Sequence, residues 1–275
     1  MNKRTEKQIN EIYKAVFKKI YTKSEIYNLS KGARFGIIKK AAILEASKDY
    51  NKFATKYSKE LAKKAIVYKR GEWRKYYEAA KKLHFVALPT TYSMFEKQIF
   101  EKAIEYNFKM IKTIPRKTLS LLERKFTEVL IQQVAEGTLP RGAFEKELLK
   151  HGSTNARVIA RTEAAKLQTH IIEGRAKSLG SVAYIWLASN DKRTRQSHKD
   201  MNGVVVLWQP EMHKPLRDKM RGDAGEFPNC RCSPQPIFDE TDLTKSNYKL
   251  YDYNIDEIIS VTKKELIKIL EKSSI

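Results

Sequence analysis

Apolar residues recur at helical spacing through most of the first 117 residues, and this pattern restricts the N-terminal part of the chain to helices. In the first helix, Ile9, Ile12 and Val16 share one face, while lysines occupy the other. The helices expected in this region run from Thr5 to about Tyr21, from about Ile37 to Ala65, from Glu72 to Leu83 and from about Thr90 to Ile111. Each has an apolar face that must be covered by a partner element.

The pattern changes after Pro115. Helices are expected from Thr118 to about Glu136, from Ala143 to Lys150, and from Ser153 to Gly180, with a break at His151-Gly152. Short β-branched and aromatic runs then predict strands at Val182–Ala188 and Val204–Trp208, an edge strand at Pro234–Phe238, and a last amphipathic helix from Asp256 to Leu270. The predicted fold is α+β and mostly helical, with a small antiparallel sheet. We expect a basic helical region at 1–117, an α+β domain at 118–240 and a tail at 241–275.

Positive charge is concentrated in the N-terminal region. Residues 1–117 contain 29 Lys and Arg against 11 Asp and Glu, a net charge of +18 out of +22 for the whole chain. Such a surface attracts polyanions, and nucleic acid is the expected partner. The candidate phosphate contacts are Lys63, Lys64, Lys69, Arg70, Arg74, Lys75, Lys81 and Lys82. The alternative is that the lysines only keep the outer helix faces soluble.

The cellular compartment is predicted from the secretion and membrane signals that the sequence lacks. The first residues lack the apolar segment of a secretion signal, and no apolar run approaches the roughly 20 residues of a membrane-spanning helix. With only two cysteines, a reducing compartment is expected. No membrane contact is expected.

Cys230 and Cys232 are separated by one residue, in a segment without helical or strand periodicity. A disulfide between them would close a strained small ring, so shared metal ligation or simple packing under a turn are the two remaining interpretations. Histidine is the usual companion of thiolates around zinc. A structural zinc is the only cofactor that the sequence suggests, with His198, Cys230 and Cys232 as ligands and His213 or Asp191 as the fourth.

Several polar and aromatic residues accompany the cysteines in a fixed order. We call them the signature cluster: Arg161, Thr162, Glu163, Trp186, Asp191, Arg193, Arg195, His198, Gly203, Pro228, Asn229, Cys230, Arg231 and Cys232. The order A-R-T-E, D-x-R-T-R-x-x-H and P-N-C-R-C resembles the phage Mu F-like minor head proteins, also called head morphogenesis proteins, over about residues 118–238. Phe227 stands where that family usually has a histidine, which removes one possible metal ligand.

The resemblance implies a low-copy structural protein of the phage head that associates with the portal and other head proteins. It would act in capsid assembly, packaging or DNA delivery, inside the virion, after assembly in the host cytoplasm. The cluster is then structural, with Arg161 expected to reach Asp191, and Glu163 to meet Arg193 or Arg195. No catalytic residues are expected, because the familiar nucleotide-binding, triad and metalloprotease motifs are absent. The alternatives are a metal-dependent nuclease using His198 and a non-catalytic DNA-binding protein.

Overall fold

The computed structural model describes residues 3–20, 40–67, 70–83, 91–116 and 141–273. The helix predicted from Thr118 to about Glu136 lies outside these residues. Within them, the helices before the sheet are α1 (Lys3–Ile20), α2 (Lys48–Ile66), α3 (Arg70–Leu83), α4 (Tyr92–Lys112) and α5 (Arg141–Ser178), and residues 40–46 are also helical. The mostly helical α+β prediction is confirmed.

The chain forms two compact units. The first comprises the described parts of Lys3–Lys63 and Ile104–Ala160. Its core contains the predicted apolar face of α1, where Ile9, Ile12 and Val16 are almost fully buried. The buried Tyr50 hydroxyl in this core donates a hydrogen bond to the Ile111 carbonyl at 2.6 Å.

Helix α5 is continuous over 38 residues, so the break predicted at His151-Gly152 is wrong. An isolated glycine costs a helix about 1 kcal/mol relative to alanine, which does not end a helix when both flanking segments favour it. The part of α5 from Arg161 onward belongs to the second unit, which comprises the described parts of Lys64–Ala103 and Arg161–Ile275.

A five-stranded sheet lies at the centre of the second unit. Its strands are β1 (Ala183–Leu187), β2 (Val204–Leu207), β5 (Ser233–Ile237), β6 (Asn247–Asp252) and β7 (Glu257–Thr262), in the order β5-β1-β2-β6-β7. The first two strands pair antiparallel as predicted, and β5 lies at an edge. The sheet is mixed rather than purely antiparallel, because β6 pairs parallel to β2. Between β2 and β5 the chain forms a small hairpin, β3 (Leu216–Arg217) and β4 (Met220–Arg221).

The predicted C-terminal helix begins later than expected. Residues Glu257–Thr262 form β7, and the helix α7 covers only Lys263–Lys272. The β-branched Ile258, Ile259 and Val261 favour a strand when β6 is available as a partner. A capping box between Thr262 and Glu265 then sets the start of the helix.

The two faces of the sheet have different roles. Ala183 and Val205 point to a hydrophobic core that includes Leu266 of α7. Side chains alternate between the two faces along a strand, so Tyr184 and Trp186 of β1 lie on the opposite face, where both are fully buried. This second face is where the signature cluster lies.

Candidate metal centre

The short helix α6 (Gln196–Asp200) follows β1 and places His198 in the interior, with only 2% of its surface exposed. Arg195 is the N-cap residue of this helix. Asp191 closes the preceding turn, where its carboxylate accepts from the Arg193 backbone N–H at 2.9 Å. The spacing from Asp191 to His198 therefore encodes a turn followed by a helix, not one longer helix.

Residues 227–232, which we call the cysteine turn, bring Cys230 and Cys232 next to His198. Asn229 adopts a left-handed conformation, with φ of 57°, and both cysteines are buried free thiols. Nδ1 of His198 lies 3.4 Å from the sulfur of Cys230 and 3.4 Å from that of Cys232. The potential ligand atoms of these three residues all lie within 4.8 Å of one another. This group could hold a metal ion that prefers sulfur and imidazole.

The electrostatics of the two thiols are unequal. The hydrogen bond with Cys232 and then that with His198 lower the pKa of Cys230 to about 4, although burial opposes this. The same hydrogen bond, together with burial, raises the pKa of Cys232. One thiolate is therefore shared between two sulfurs, as expected for neighbouring acids that compete to ionise.

The other ring nitrogen of His198 contacts a carboxylate that the sequence did not reveal. Nε2 lies 3.2 Å from Oδ2 of Asp218, in the turn of the β3–β4 hairpin. The same carboxylate accepts from Ser197 at 2.7 Å and from Arg195 at 2.8 Å. Although burial opposes ionisation, the Ser197 hydrogen bond and the Arg195 charge lower the pKa of Asp218. The carboxylate is thus available as an acceptor for the imidazole N–H.

Aromatic rings enclose the histidine. The Phe227 ring centroid lies 4.9 Å from that of His198, and the Trp186 centroid lies 5.7 Å from it, both edge-on. Both aromatic side chains are almost completely buried. Phe227, which stands where a histidine is usual in the family, thus serves here as a packing residue against the imidazole.

The start of the signature cluster lies on α5 and contacts the cysteine turn. The guanidinium of Arg161 donates to the side-chain oxygen of Asn229 at 2.9 Å, and the Thr162 hydroxyl accepts the Asn229 backbone N–H at 2.8 Å. Glu163 is buried. The helix therefore fixes the turn through Asn229, the residue with the strained backbone.

The ion pair of Asp191 differs from the one expected. Arg231, not Arg161, binds both carboxylate oxygens of Asp191 and lowers the pKa of that carboxyl group. Arg195 pairs with Asp218 and also donates to the Pro228 carbonyl at 2.6 Å. Each pair links the segment after β1 to a later segment of the chain, which fixes their relative orientation.

Other predicted site residues lie elsewhere. Gly203 has a φ of 79° and donates its backbone N–H to the Trp186 carbonyl at 2.8 Å, and Arg193 is exposed. His213 is not a member of the His-Cys-Cys group and stacks on Tyr253, with centroids 4.9 Å apart.

The candidate phosphate contacts are only partly described. Lys69 and the side chains of Lys81 and Lys82 lie outside the described residues. The other candidates, Lys63, Lys64, Arg70, Arg74 and Lys75, are exposed, and Arg70 also lies 3.8 Å from Glu96.

A buried ion network near the cluster was not predicted. Lys214 lies 3.0 Å from Asp223 and 2.9 Å from Glu226, and the Tyr184 hydroxyl donates to Asp223 at 2.9 Å. All four side chains are buried. The sequence feature that could have indicated this network is the cluster of charged residues between β2 and the cysteine turn. A polar segment of this kind usually indicates an exposed loop.

Taken together, these contacts define an α+β domain in which polar residues from α5, α6, the hairpin and the cysteine turn contact one another. Residues 124–234 match the family model described as "Phage Mu protein F like protein". The resemblance expected from the signature cluster is therefore confirmed over these residues.

Two curated proteins are similar to the chain over part of their length. One, an uncharacterized protein of Haemophilus influenzae (strain Rd), is 29% identical over 143 residues, covering 51% of this chain and 30% of that protein. The other, the NAD(+)--arginine ADP-ribosyltransferase EFV of Enterococcus faecalis (strain V583), is 34% identical over 111 residues, covering 34% of this chain and 23% of that protein. The chain thus spans less than a third of either relative. No solved structure matches.

Proposed function

We propose that this protein is a bacteriophage minor head protein, a low-copy structural component inside the phage head that associates with the portal and other head proteins. It would assemble in the host cytoplasm and act in capsid assembly, DNA packaging or delivery. The observation that carries the proposal is the Mu F-like match over residues 124–234, within which the signature residues converge.

The proposed role is structural rather than catalytic. The functional groups of the cluster are used in mutual contacts, as in Arg161 with Asn229, Arg195 with Asp218 and Arg231 with Asp191. His198, which a nuclease would need to present to a phosphodiester, is 2% exposed. The transferase activity in the name of the E. faecalis relative belongs to a protein of which this chain matches 23%, and it is not carried over.

We also propose that the basic N-terminal region binds DNA through its phosphates. Support comes from the net charge of +18 on residues 1–117 and from the exposure of Lys63, Lys64, Arg74 and Lys75. None of the helices in the described part of the chain is long and apolar enough to cross a bilayer. This binding should be independent of DNA sequence, because phosphates carry no sequence information.

The role in the head is tested by mass spectrometry of purified heads and by co-purification with the portal protein encoded by the same phage. We expect the protein at a small fraction of the copy number of the major capsid protein, and in complex with the portal when the two are coexpressed. Its absence from purified heads, together with failure to bind the portal, would contradict the proposal.

DNA binding is tested by measuring affinity for duplexes of two unrelated sequences over a range of salt concentrations. We expect log K to fall by about 0.9 per contacted phosphate per log unit of salt, equally for both sequences. The serine variant of the four exposed candidates Lys63, Lys64, Arg74 and Lys75 should bind more weakly and with a smaller slope.

The matched control changes four exposed lysines of the C-terminal domain, Lys199, Lys219, Lys245 and Lys249, to serine, which removes the same net charge. Equal loss of affinity in both variants would show that only the total charge matters and would refute a specific N-terminal interface.

A further inference from the structure

We propose that His198, Cys230 and Cys232 bind one zinc ion, and that Asp218 is the positioning residue that directs Nδ1 of His198 at the metal. This inference does not depend on the role in the phage head, because it concerns only the internal structure of the domain.

The spacing of the three donor atoms fits a zinc tetrahedron. With a Zn–S distance of about 2.3 Å and a Zn–N distance of about 2.0–2.1 Å, neighbouring sulfur and nitrogen ligands are about 3.6 Å apart. His198 Nδ1 lies 3.4 Å from each of the two sulfurs. A single ion placed between the three atoms could therefore be bound with only a small adjustment of the side chains.

The chemistry of the donors selects the class of metal. Two thiols and one imidazole suit zinc and other soft or borderline transition metals, whereas magnesium and calcium require oxygen ligands. The cysteine turn also contains a donor for a charged sulfur, because the Cys232 backbone N–H lies 3.4 Å from the sulfur of Cys230. In the described part of the chain the buried indole N–H of Trp186 has no hydrogen-bond acceptor.

Asp218 supplies the outer contact that histidine ligands usually have. A zinc-bound imidazole donates its second N–H to a carboxylate or carbonyl, which fixes both the tautomer and the orientation of the ring. Here Nε2 faces Asp218 at 3.2 Å, so in the zinc-bound protein the ring proton would reside on Nε2 and the lone pair of Nδ1 would be directed at the metal. Ser197 and Arg195 hold the carboxylate in place.

The hairpin turn provides the geometry for this contact. Asp218 and Lys219 both have positive φ, 52° and 63°, and form the two-residue turn between β3 and β4. The turn folds back over α6, so that the Asp218 carboxylate reaches Ser197 and His198 on the same helix. A zinc ion would thus connect α6 and the cysteine turn directly, and the hairpin through Asp218.

The first experiment measures zinc content and coordination in the full chain. We expect about one zinc per wild-type chain and less than a tenth of that in Cys230→Ala. X-ray absorption should show two sulfurs at about 2.3 Å and lighter atoms at about 2.0–2.1 Å.

Cobalt(II) added to wild-type protein from which metal has been removed with a chelator should give an intense near-ultraviolet thiolate-to-metal band. This readout does not require any variant to fold. A wild-type zinc content no higher than that of Cys230→Ala, or the absence of the cobalt band, would overturn the site.

The second experiment isolates Asp218 by competition of the protein with a zinc chelator. Asp218→Asn should bind zinc about 10- to 100-fold more weakly than the wild type, with the same coordination at saturation. Asp200→Asn is the matched control, because Asp200 is exposed on the same helix and its carboxylate accepts a hydrogen bond from Gln196. Equal affinities of the two variants would overturn the positioning role while leaving the zinc site intact.

Discussion

The guanidinium of Arg175 is completely buried and binds both carboxylate oxygens of Glu96, with Nε 3.0 Å from Oε1 and Nη2 2.9 Å from Oε2. Arg175 also donates to the Ile66 carbonyl at 2.6 Å and lies over the ring of Trp73, 5.5 Å from its centroid. Within the second unit, this pair joins the end of α5 to α3 and α4. Burial lowers the pKa of Arg175, and the charge of Glu96 opposes that effect.

Removal of one partner of this pair should be strongly destabilising. Arg175→Met removes both hydrogen bonds to the buried Glu96 carboxylate, and the more distant Arg70, 3.8 Å away, does not replace them. The change should cost up to about 3–5 kcal/mol, whereas the double variant with Glu96→Met should recover part of the loss. Urea denaturation followed by circular dichroism measures both. Arg74→Met, at an exposed position of α3, should change stability by less than about 0.5 kcal/mol. Similar effects of Arg175→Met and Arg74→Met would contradict the prediction.

Asp223 should make the protein less stable as the pH rises toward neutrality. Burial raises the pKa of this carboxyl group to about 7, even though Lys214 acts in the opposite direction. Between the ordinary value near 3.8 and about 7, the folded protein holds a proton that the unfolded chain has lost, so stability falls as pH increases through this window. The contribution is fully present below about pH 4.

The measurement is the unfolding midpoint of wild type and Asp223→Asn at several pH values between 4 and 8. The variant lacks the titrating group, so its midpoint should decline less with pH than that of the wild type. The groups that face Asp223 and remain in both proteins are Lys214, Glu226 and Tyr184. Parallel pH profiles would show that Asp223 ionises normally in the folded state.

Gly225 should not tolerate a side chain. Its φ is 99°, and an added Cβ would lie 2.6 Å from the Thr169 hydroxyl and 3.1 Å from the Cys232 carbonyl. Gly225→Ala should therefore lose at least about 1–3 kcal/mol through backbone strain alone. The matched control is Gly71→Ala in α3, where no atom lies within 4 Å of the added Cβ, and which should be neutral or slightly stabilising. Thermal unfolding distinguishes the two variants, and equal unfolding midpoints would contradict the prediction that Gly225 cannot accept a side chain.

Thr262 should determine where α7 begins. Its hydroxyl accepts the Glu265 backbone N–H at 3.3 Å, while the Glu265 carboxylate accepts the Thr262 N–H at 2.8 Å. Thr262→Ala should cost about 1 kcal/mol, and Thr262→Ser, which retains the cap, should cost much less. Hydrogen exchange of the first turn of α7 measures the local effect. Unchanged exchange in Thr262→Ala would mean that the cap is not needed.

Much of the fold was predictable because its signals are local. The helical spacing of Ile9, Ile12 and Val16 and the β-branched run from Val204 each determine one element without reference to distant residues. The end of the chain was misjudged because Ile258, Ile259 and Val261 are compatible with a helical face, and only the neighbouring strand β6 decides between helix and strand. Propensity yields to tertiary pairing in such segments.

The candidate site was predictable in its members but not in its pairings. The C-x-C spacing and the position of His198 indicated a shared site, yet the partner of Asp191 depends on how β5 places Arg231 beside it. Asp218 was missed for a physical reason. The turn Asp218-Lys219 lacks the glycine that usually marks a two-residue hairpin, so the segment resembled an irregular polar loop.

The edge strand β5 limits how one copy of this protein can pair with another. Pro234 and Pro236 alternate along this strand and have no N–H, so a neighbouring copy could not complete a regular hydrogen-bonded ladder along its free side. Sheet extension from one molecule to the next is therefore blocked at β5, which protects that side against fibrous self-association.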